Sequence, residues 1–349
     1  MITKARISEF LTLARSCPVL DVRSPAEFAH AHIPGAHSLP LFTDEERKVV
    51  GTEYKQQSRE QAIKTGLDYF GVKMRRMVEE AETIIDKHTY KNGEQKTVLV
   101  HCWRGGMRSA GVAWLLDLYG FKVATLVGGY KAFRNWTLKQ FEKQYSFHIL
   151  GGYTGSGKTE LLQQLSAHNY AVVDLEGIAN HKGSAFGGIG TPAQPSQEMF
   201  ENILAWALDE ADDTSPIWLE DESQRIGGVN IPNALWKTMR ASPLYFLDIP
   251  FVERLSHIAN TYGKCKKEDL VNAIIRIQKR LGNLNTKNAI SHLLENNHKE
   301  SFSILLTYYD KYYTRDLAER KIQEGIFTAI SCDNTNPADN FKKLAHLIN

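Results

Sequence analysis

Phe147-His148-Ile149-Leu150-Gly151-Gly152-Tyr153-Thr154-Gly155-Ser156-Gly157-Lys158-Thr159 reads as an apolar strand, a glycine-rich turn and the start of a helix. The spacing Gly152-x4-Gly157-Lys158-Thr159 is that of a P-loop. In such a loop the backbone amides at Gly152, Gly155, Ser156 and Gly157 wrap phosphates. Lys158 reaches the terminal ones, and the Thr159 hydroxyl normally touches Mg²⁺. Downstream, apolar runs at 171–174, 217–220, 244–247 and 327–330 alternate with helical segments. That order predicts a parallel sheet covered on both faces. Asp174 closes the first of these runs. Glu220-Asp221-Glu222 closes the second, where a Mg²⁺-holding acid belongs; a solvated strand end is the plain alternative. Arg254, just past Leu247-Asp248-Ile249-Pro250, resembles an arginine of small P-loop kinases or is a surface arginine. The stretch 266–320 reads as mostly helical. Within 268–281, Leu270, Ala273, Ile274, Ile277 and Leu281 form one apolar stripe. Lys266, Lys267, Arg276, Lys279 and Arg280 lie around it. They are candidate contacts to a nucleic-acid backbone, or a solvated face.

Upstream lies a second α/β series. Pro18-Val19-Leu20-Asp21-Val22-Arg23 is a short strand ended by Ser24-Pro25, and Thr97-Val98-Leu99-Val100-His101 is another. The second runs straight into Cys102-Trp103-Arg104-Gly105-Gly106-Met107-Arg108-Ser109. Helical spacing follows to Tyr119, then a third strand over 123–127 and a helix expected from 130 to about 145. A loop of amides curled around a thiol at a helix N-terminus stabilises the thiolate and binds anions by the same dipoles. Gly105 and Gly106 permit the curl. Arg104 and Arg108 can form charge-assisted bonds to an oxyanion, and Ser109 closes the loop. A small buried hydrophobe is the plain reading of a lone cysteine, but strand end, glycines, arginines and helix start all agree on a nucleophile. Trp103 is either a stacking surface for a base or a packing residue. The domains expected are 1–140 and 145–349.

Composition bounds the class. With 349 residues, 42% hydrophobic and 23% charged, the chain is ordinary globular protein. A net charge of +2 means that any polyanion must be met by a local patch. Cys17, Cys102, Cys265 and Cys332 lack the paired spacing of a zinc site or disulfide framework. The polar start MITKARISEF and the lack of a long apolar run predict no signal peptide and no membrane span. A cytoplasmic location follows as the default.

Leu20-Asp21-Val22-Arg23-Ser24-Pro25-Ala26-Glu27-Phe28 and His32-Ile33-Pro34-Gly35-Ala36 are similar to rhodanese domains, a resemblance covering about 1–140. It implies a small parallel-sheet domain in which Asp21 and Arg23 are structural. Sulfur-carrying rhodaneses usually have a six-residue loop. This one, Cys102 to Arg108, has seven, as in the His-Cys-x5-Arg loop of phosphatases. The wider cradle suits a phosphate-sized anion.

The two halves together resemble the tRNA 2-selenouridine synthase family. The resemblance rests on the two loops, on Asp174-Leu175-Glu176-Gly177-Ile178-Ala179-Asn180-His181-Lys182-Gly183-Ser184-Ala185-Phe186-Gly187, and on Glu220-Asp221-Glu222-Ser223-Gln224-Arg225-Ile226-Gly227. It thins after about Lys264. It also takes in the segment from Val50-Gly51-Thr52 to Gly66, an insertion that makes Gly66 a candidate substrate contact. It implies action on the wobble 2-thiouridine in the anticodon loop of tRNA. Geranyl diphosphate would alkylate the sulfur, and selenium from selenophosphate would then replace geranylthiol. A selenophosphate-producing enzyme is an implied partner. Cys102 would take selenium as a selenopersulfide or activate its donor. The P-loop would hold the prenyl diphosphate, a nucleotide or a tRNA phosphate. Asp174, Glu220, Asp221 and Arg225 are candidates for Mg²⁺ or substrate; Arg225 sits one residue away from the position the family pattern gives it. Two other classes stay open: a cysteine phosphatase/P-loop kinase acting on small phosphate esters, and a nucleotide-switched binding protein.

Overall fold

The computed structural model describes residues 2–88, 96–211, 216–321 and 326–348. The chain divides into two compact units. One comprises Met1–Gln140 with Glu201–Trp206, the other Phe141–Phe200 with Ala207–Asn349.

The first unit contains β1 (Ile2–Ala5), α1 (Ile7–Ala14), β2 (Val19–Asp21), α2 (Pro25–His30), β3 (His37–Ser38), α3 (Asp44–Gln56), α4 (Arg59–Gly71), α5 (Met74–Asp86), β4 (Thr97–His101), α6 (Met107–Tyr119), β5 (Lys122–Leu126) and α7 (Gly129–Gln140). Its five-stranded sheet has the order β1-β5-β4-β2-β3, with every pairing parallel. Val98, Leu99, Val100 and His101 of β4 are all buried, as an inner strand covered on both faces requires. Val98 and Val100 share a core with Val112, Leu115 and Leu116 of α6, and it includes Cys102 itself. The helices start on strong signals. Thr43 and Glu46 form a reciprocal capping box before α3, at 3.2 and 2.8 Å. Ser24 precedes Pro25 at the head of α2. Residues 50–66 run from α3 into α4. There the bare Cα of Gly66 faces the Phe42 ring, which an added Cβ would meet at 3.3 Å.

The second unit contains β6 (Phe147–Gly152), α8 (Lys158–Ala167), α9 (Leu175–Ala179), both ends of α10 (Gln197–Glu210), whose middle Glu201–Trp206 belongs to the first, β7 (Ile217–Glu220), β8 (Arg225–Ile226), β9 (Val229–Asn230), α11 (Asn233–Ala241), β10 (Leu244–Asp248), α12 (Phe251–Tyr262), α13 (Lys267–Arg276), α14 (Gln278–Leu281), α15 (Asn283–Leu294), α16 (His298–Lys321), β11 (Phe327–Ser331) and α17 (Pro337–Ile348). Its four-stranded parallel sheet has the order β11-β10-β6-β7, and β8 and β9 form a separate hairpin. A second core, of Leu270, Ala273, Ile274, Leu293, Phe302, Leu305 and Leu306, joins α13, α15 and α16.

Three expectations change. The run 171–174 is not a ladder strand. It touches β7 only by the Val172–Trp218 bridge, after which Asp174 caps α9. The helix expected over 268–281 breaks at Ile277, whose amide donates to Ile274 O, three residues back, at 3.1 Å. That tightened turn ends α13 and starts α14. The helix from 130 stops at Gln140 rather than near 145, and Phe141 beyond it is buried.

Candidate functional sites

Both loops leave the C-terminal ends of inner parallel strands, β4 and β6, the position at which parallel α/β sheets bind ligands.

In the first unit, Cys102 directly follows β4 and Gly106 caps α6, so the helix N-terminus faces back along the loop. Cys102 Sγ lies 3.2 Å from Ser109 Oγ, and the same hydroxyl donates to Gly106 O at 3.1 Å. Burial alone would raise the thiol pKa. The Ser109 hydroxyl, the Ser109 and Gly106 amides and the Arg108 charge outweigh it, and Cys102 is held below an ordinary thiol. Arg108 donates to Glu27 at 2.8 Å, and that pairing outweighs burial to hold the Glu27 carboxyl below its usual range. Glu27, which carried no assigned role in the sequence, thus fixes the direction of the Arg108 side chain. Trp103, Arg104, Gly105, Gly106 and Met107 form the exposed rim. Trp103 is 38% exposed with its ring 5.6 Å from that of Tyr130, so it packs on one side and meets solvent on the other.

The floor of this loop is a second turn, between β5 and α7. Tyr130 N donates to Cys102 O at 2.8 Å and Lys131 N to Trp103 O at 3.0 Å. Gly129, at φ +60°, has no room for a side chain: a Cβ would strike Cys102 O and Gly105 N. Beneath, Asp21 and Arg23 pair at 2.6 Å while fully buried, and Arg23 also donates to Ala31 O at 2.7 Å. The Arg23 guanidinium lies 3.9 Å from the Tyr130 ring centroid. These two residues are structural, tying the β2 end to α7. His101 Nε2 is 3.7 Å from Asp21. Burial, with the Arg23 charge, outweighs the Asp21 carboxylate and keeps the His101 pKa low and the ring neutral.

In the second unit, the P-loop joins β6 to α8. Lys158 Nζ donates to Gly152 O at 3.1 Å, which folds the lysine over the loop. Gly155, at φ +83°, sits against Ile258, where a Cβ would come within 2.7 Å of Cδ1. Arg254 is buried and no surface group. It donates to Asp310 at 2.9 and 2.7 Å and to Thr154 O at 3.1 Å, and its guanidinium lies 4.9 Å from the Tyr153 ring. It clamps the loop onto α12 and α16.

The acids gather beneath Thr159. Its hydroxyl is 3.2 Å from Glu220 and 3.3 Å from Glu176, and Glu176 N donates to Glu220 at 3.2 Å. Burial, then the Glu176 and Asp174 charges, push Glu220 up to about 8. Glu176 and Glu222 are raised for the same first reason, burial, so the cluster holds protons that isolated carboxyls would lose. Asp174 stands differently: it caps α9, accepting from Gly177 N at 2.7 Å. The β7 end supplies Glu220, Asp221 and Glu222, and Asp221 N donates to Leu150 O at 3.0 Å. Arg225 lies on β8, exposed, donating to Gly227 O at 2.8 Å; it does not line the cavity below.

A cavity of about 700 Å³ opens over the P-loop. Its floor is 154–159; its sides carry Glu176, Lys182, Asp221 and Glu222, and Trp236 with Arg240 from α11. Tyr262, Tyr309, Tyr312 and Tyr313 add an aromatic lining. Glu176, Lys182 and the tyrosines were not singled out in the sequence. The signal available was Tyr309 and Tyr313 one helical turn apart, beside Tyr312, on one face of α16. Lys266, Arg276, Lys279 and Arg280 are exposed on and around α13 and α14, whereas Lys267 Nζ caps the end of α15 through Leu294 O at 3.0 Å.

Comparison with known proteins gives the same division. Residues 7–135 match the family model described as "Rhodanese-like domain", and residues 145–333 match "tRNA 2-selenouridine synthase AAA domain". A protein of Sulfurovum sp. (strain NBC37-1) named tRNA 2-selenouridine synthase is 33% identical over 96% of this chain and 97% of its own. The protein of that name from Hydrogenovibrio crunogenus is 35% identical over 90% of this chain and 94% of its own, and that of Marinobacter nauticus 34% over 92% and 94%. Matches of this extent take in both loops and the sheets that carry them, and the chain belongs to the tRNA 2-selenouridine synthase family.

Proposed function

We propose that this chain converts the wobble 2-thiouridine of tRNA to 2-selenouridine in two steps, each served by its own anion cradle. In the first, the P-loop holds the diphosphate of geranyl diphosphate. The thiouridine sulfur attacks C1 of the prenyl chain, the C–O bond breaks, and diphosphate leaves. In the second, the cysteine loop holds selenophosphate. Selenium bonds to C2 of the S-geranylated base, and geranylthiolate departs with its electron pair. The observation that carries this reading is the seven-residue loop Cys102–Arg108, closed where Cys102 Sγ meets Ser109 Oγ at 3.2 Å: its length and the hydroxyl beside the thiol support a thiolate under a phosphate-sized anion.

Selenium in selenophosphate already carries the electron pair it needs; once it is bonded to C2, water attacks phosphorus, the P–Se bond breaks with its electrons left on selenium, and the phosphorus departs as phosphate. Delivery to C2 is therefore redox-neutral, whereas storing selenium on Cys102 as a selenopersulfide would require an oxidant. Cys102 accordingly activates the donor.

Mg²⁺ fits the P-loop. The Thr159 hydroxyl stands between Glu220 and Glu176, whose raised proton affinities mark a place short of positive charge. Among the described residues no group of three or more His, Cys, Asp or Glu forms a metal cage by itself, and Mg²⁺ ordinarily completes its shell with waters and substrate phosphates. Thr159 and one of the two acids would hold the ion, and it would stabilise the leaving diphosphate.

The exposed basic side chains of α13 and α14 supply phosphate contacts for the tRNA, and Trp103 offers the extruded base a face beside the thiol. The test is reconstitution with tRNA bearing 2-thiouridine, followed by nucleoside mass spectrometry. The expected result is 2-selenouridine only when both geranyl diphosphate and selenophosphate are supplied. Phosphate release from small phosphate esters, with no change in the tRNA, would instead favour the phosphatase reading.

A further inference from the structure

The cysteine loop is supported by a side chain to which the sequence gave no role. Asn202 lies in the middle of α10, in the stretch Glu201–Trp206 that belongs to the first unit, and it is fully buried. A buried amide side chain is costly unless its donors and its acceptor are met. Asn202 Oδ1 accepts from Arg134 Nη1 at 3.1 Å, and Nδ2 donates to Tyr130 Oη at 2.7 Å and to His32 O at 3.0 Å. These partners fix which way the amide faces, since a guanidinium only donates and a carbonyl only accepts. Arg134, one helical turn after Tyr130 on α7, is itself paired with Glu201.

Two of the contacts lead to the thiol loop. Tyr130 is fully buried, and its amide donates to Cys102 O at 2.8 Å. Its ring lies 5.6 Å from that of Trp103 and 6.4 Å from that of His101, so it meets the residues on both sides of Cys102. His32 follows the exit of α2, the helix that carries Glu27, and Glu27 pairs with Arg108. The preceding carbonyl, Ala31 O, accepts from Arg23. One amide therefore joins the support under the thiol to the support behind the arginine.

We propose that Asn202 is a positioning residue of the cysteine loop: by holding Tyr130 to the chain at His32, it sets Cys102 and Arg108 to converge on one tetrahedral anion. It touches neither the thiol nor the anion and acts through Tyr130 and α2. The inference rests on the reading that this loop holds an anion beside a thiolate, whichever donor supplies that anion. Packing alone does not call for an amide here. An apolar side chain would bury equally well, as Phe200, Leu204 and Ala205 of the same helix do. It would not select one setting of the Tyr130 ring against the His32 carbonyl, which a satisfied hydrogen-bond set does.

The test reads the loop rather than the fold. In the full chain, alkylation of Cys102 by iodoacetamide is followed by peptide mass spectrometry across a pH series, without and with inorganic phosphate. Phosphate should protect the wild-type thiol saturably. In Asn202→Ala, confirmed as folded by urea unfolding, the phosphate concentration giving half protection should rise about tenfold. The alkylation midpoint should move up with it, because the loop amides and Arg108 are less well aimed at the sulfur. Tyr130→Phe keeps the ring and removes only the hydroxyl that Asn202 meets. It should raise the half-protection concentration about threefold, and it carries the test if Asn202→Ala does not fold. A half-protection concentration unchanged in the folded variants would make Asn202 a packing residue and overturn the proposal. A wild-type thiol that phosphate does not protect at all would instead overturn the reading of the loop as an anion cradle.

Discussion

Cys102 and Ser109 stand at the two ends of one turn of chain, and their 3.2 Å contact links loop shape to thiol chemistry. The thiolate fraction rises as pH climbs through the Cys102 pKa, which is held below that of a free thiol. Alkylation by iodoacetamide, followed against pH on Cys102 itself, should therefore reach half its maximal rate below the ordinary midpoint of about 8.5. Ser109→Ala removes a stabiliser of the anion and should move that midpoint up; an unmoved midpoint would mean that the hydroxyl serves packing alone. Glu220 titrates in the opposite sense. Its folded pKa, raised to about 8, means that the folded state keeps a proton that the unfolded state gives up. Its contribution to stability is complete below the usual carboxylate range and is lost as pH rises toward 8. Glu220→Gln should match the wild type near pH 4 and exceed it at pH 8 by on the order of 1 kcal/mol or more, as read by urea unfolding. A variant less stable than the wild type at both pH values would contradict this.

At the scale of elements, the cysteine loop is only as good as the β5–α7 turn beneath it. Gly129 accepts no side chain, so Gly129→Ala should cost about 3 kcal/mol and slow Cys102 alkylation together, measured by denaturant unfolding and thiol labelling. A neutral substitution would show that the turn can yield. How much of this was legible in the chain depends on locality. The two loops are contiguous strand–turn–helix signals, and both stand where their spacing puts them. The apolar stripe of 268–281 was also correct in its buried face, for Leu270, Ala273, Ile274 and Leu281 are all interior. The break at Ile277 was not legible, because a single tightened turn leaves the stripe intact. Strand 171–174 looked like its neighbours in composition, yet it pairs at one register position only; pairing is non-local and composition does not encode it. Edge strand β1 was invisible for a related reason: Ile2, Thr3 and Lys4 are exposed, and only Ala5 is interior. The acids divide in the same way. Asp174, legible as a strand end, became a helix cap. Glu176, two residues on, reaches Thr159 because α9 turns it there.

For the whole molecule, a net charge of +2 leaves polyanion binding to local patches. Lys279 and Arg280 lie exposed on α14. Replacing both by Ala should weaken tRNA binding and flatten the dependence of log K on log salt by about 0.7 to 0.9 for each phosphate that is no longer neutralised. An unchanged slope would place the RNA elsewhere. The central claim is that one chain carries two anion cradles for two successive donors, and it predicts separable failures. The most direct measurement is nucleoside mass spectrometry of 2-thiouridine tRNA after incubation with geranyl diphosphate, selenophosphate and either Cys102→Ala or Lys158→Ala, each confirmed as folded. Cys102→Ala should accumulate the S-geranyl nucleoside with no 2-selenouridine, while Lys158→Ala should leave the 2-thiouridine largely unalkylated. Loss of geranylation in folded Cys102→Ala, or 2-selenouridine formed without Cys102, would contradict the claim.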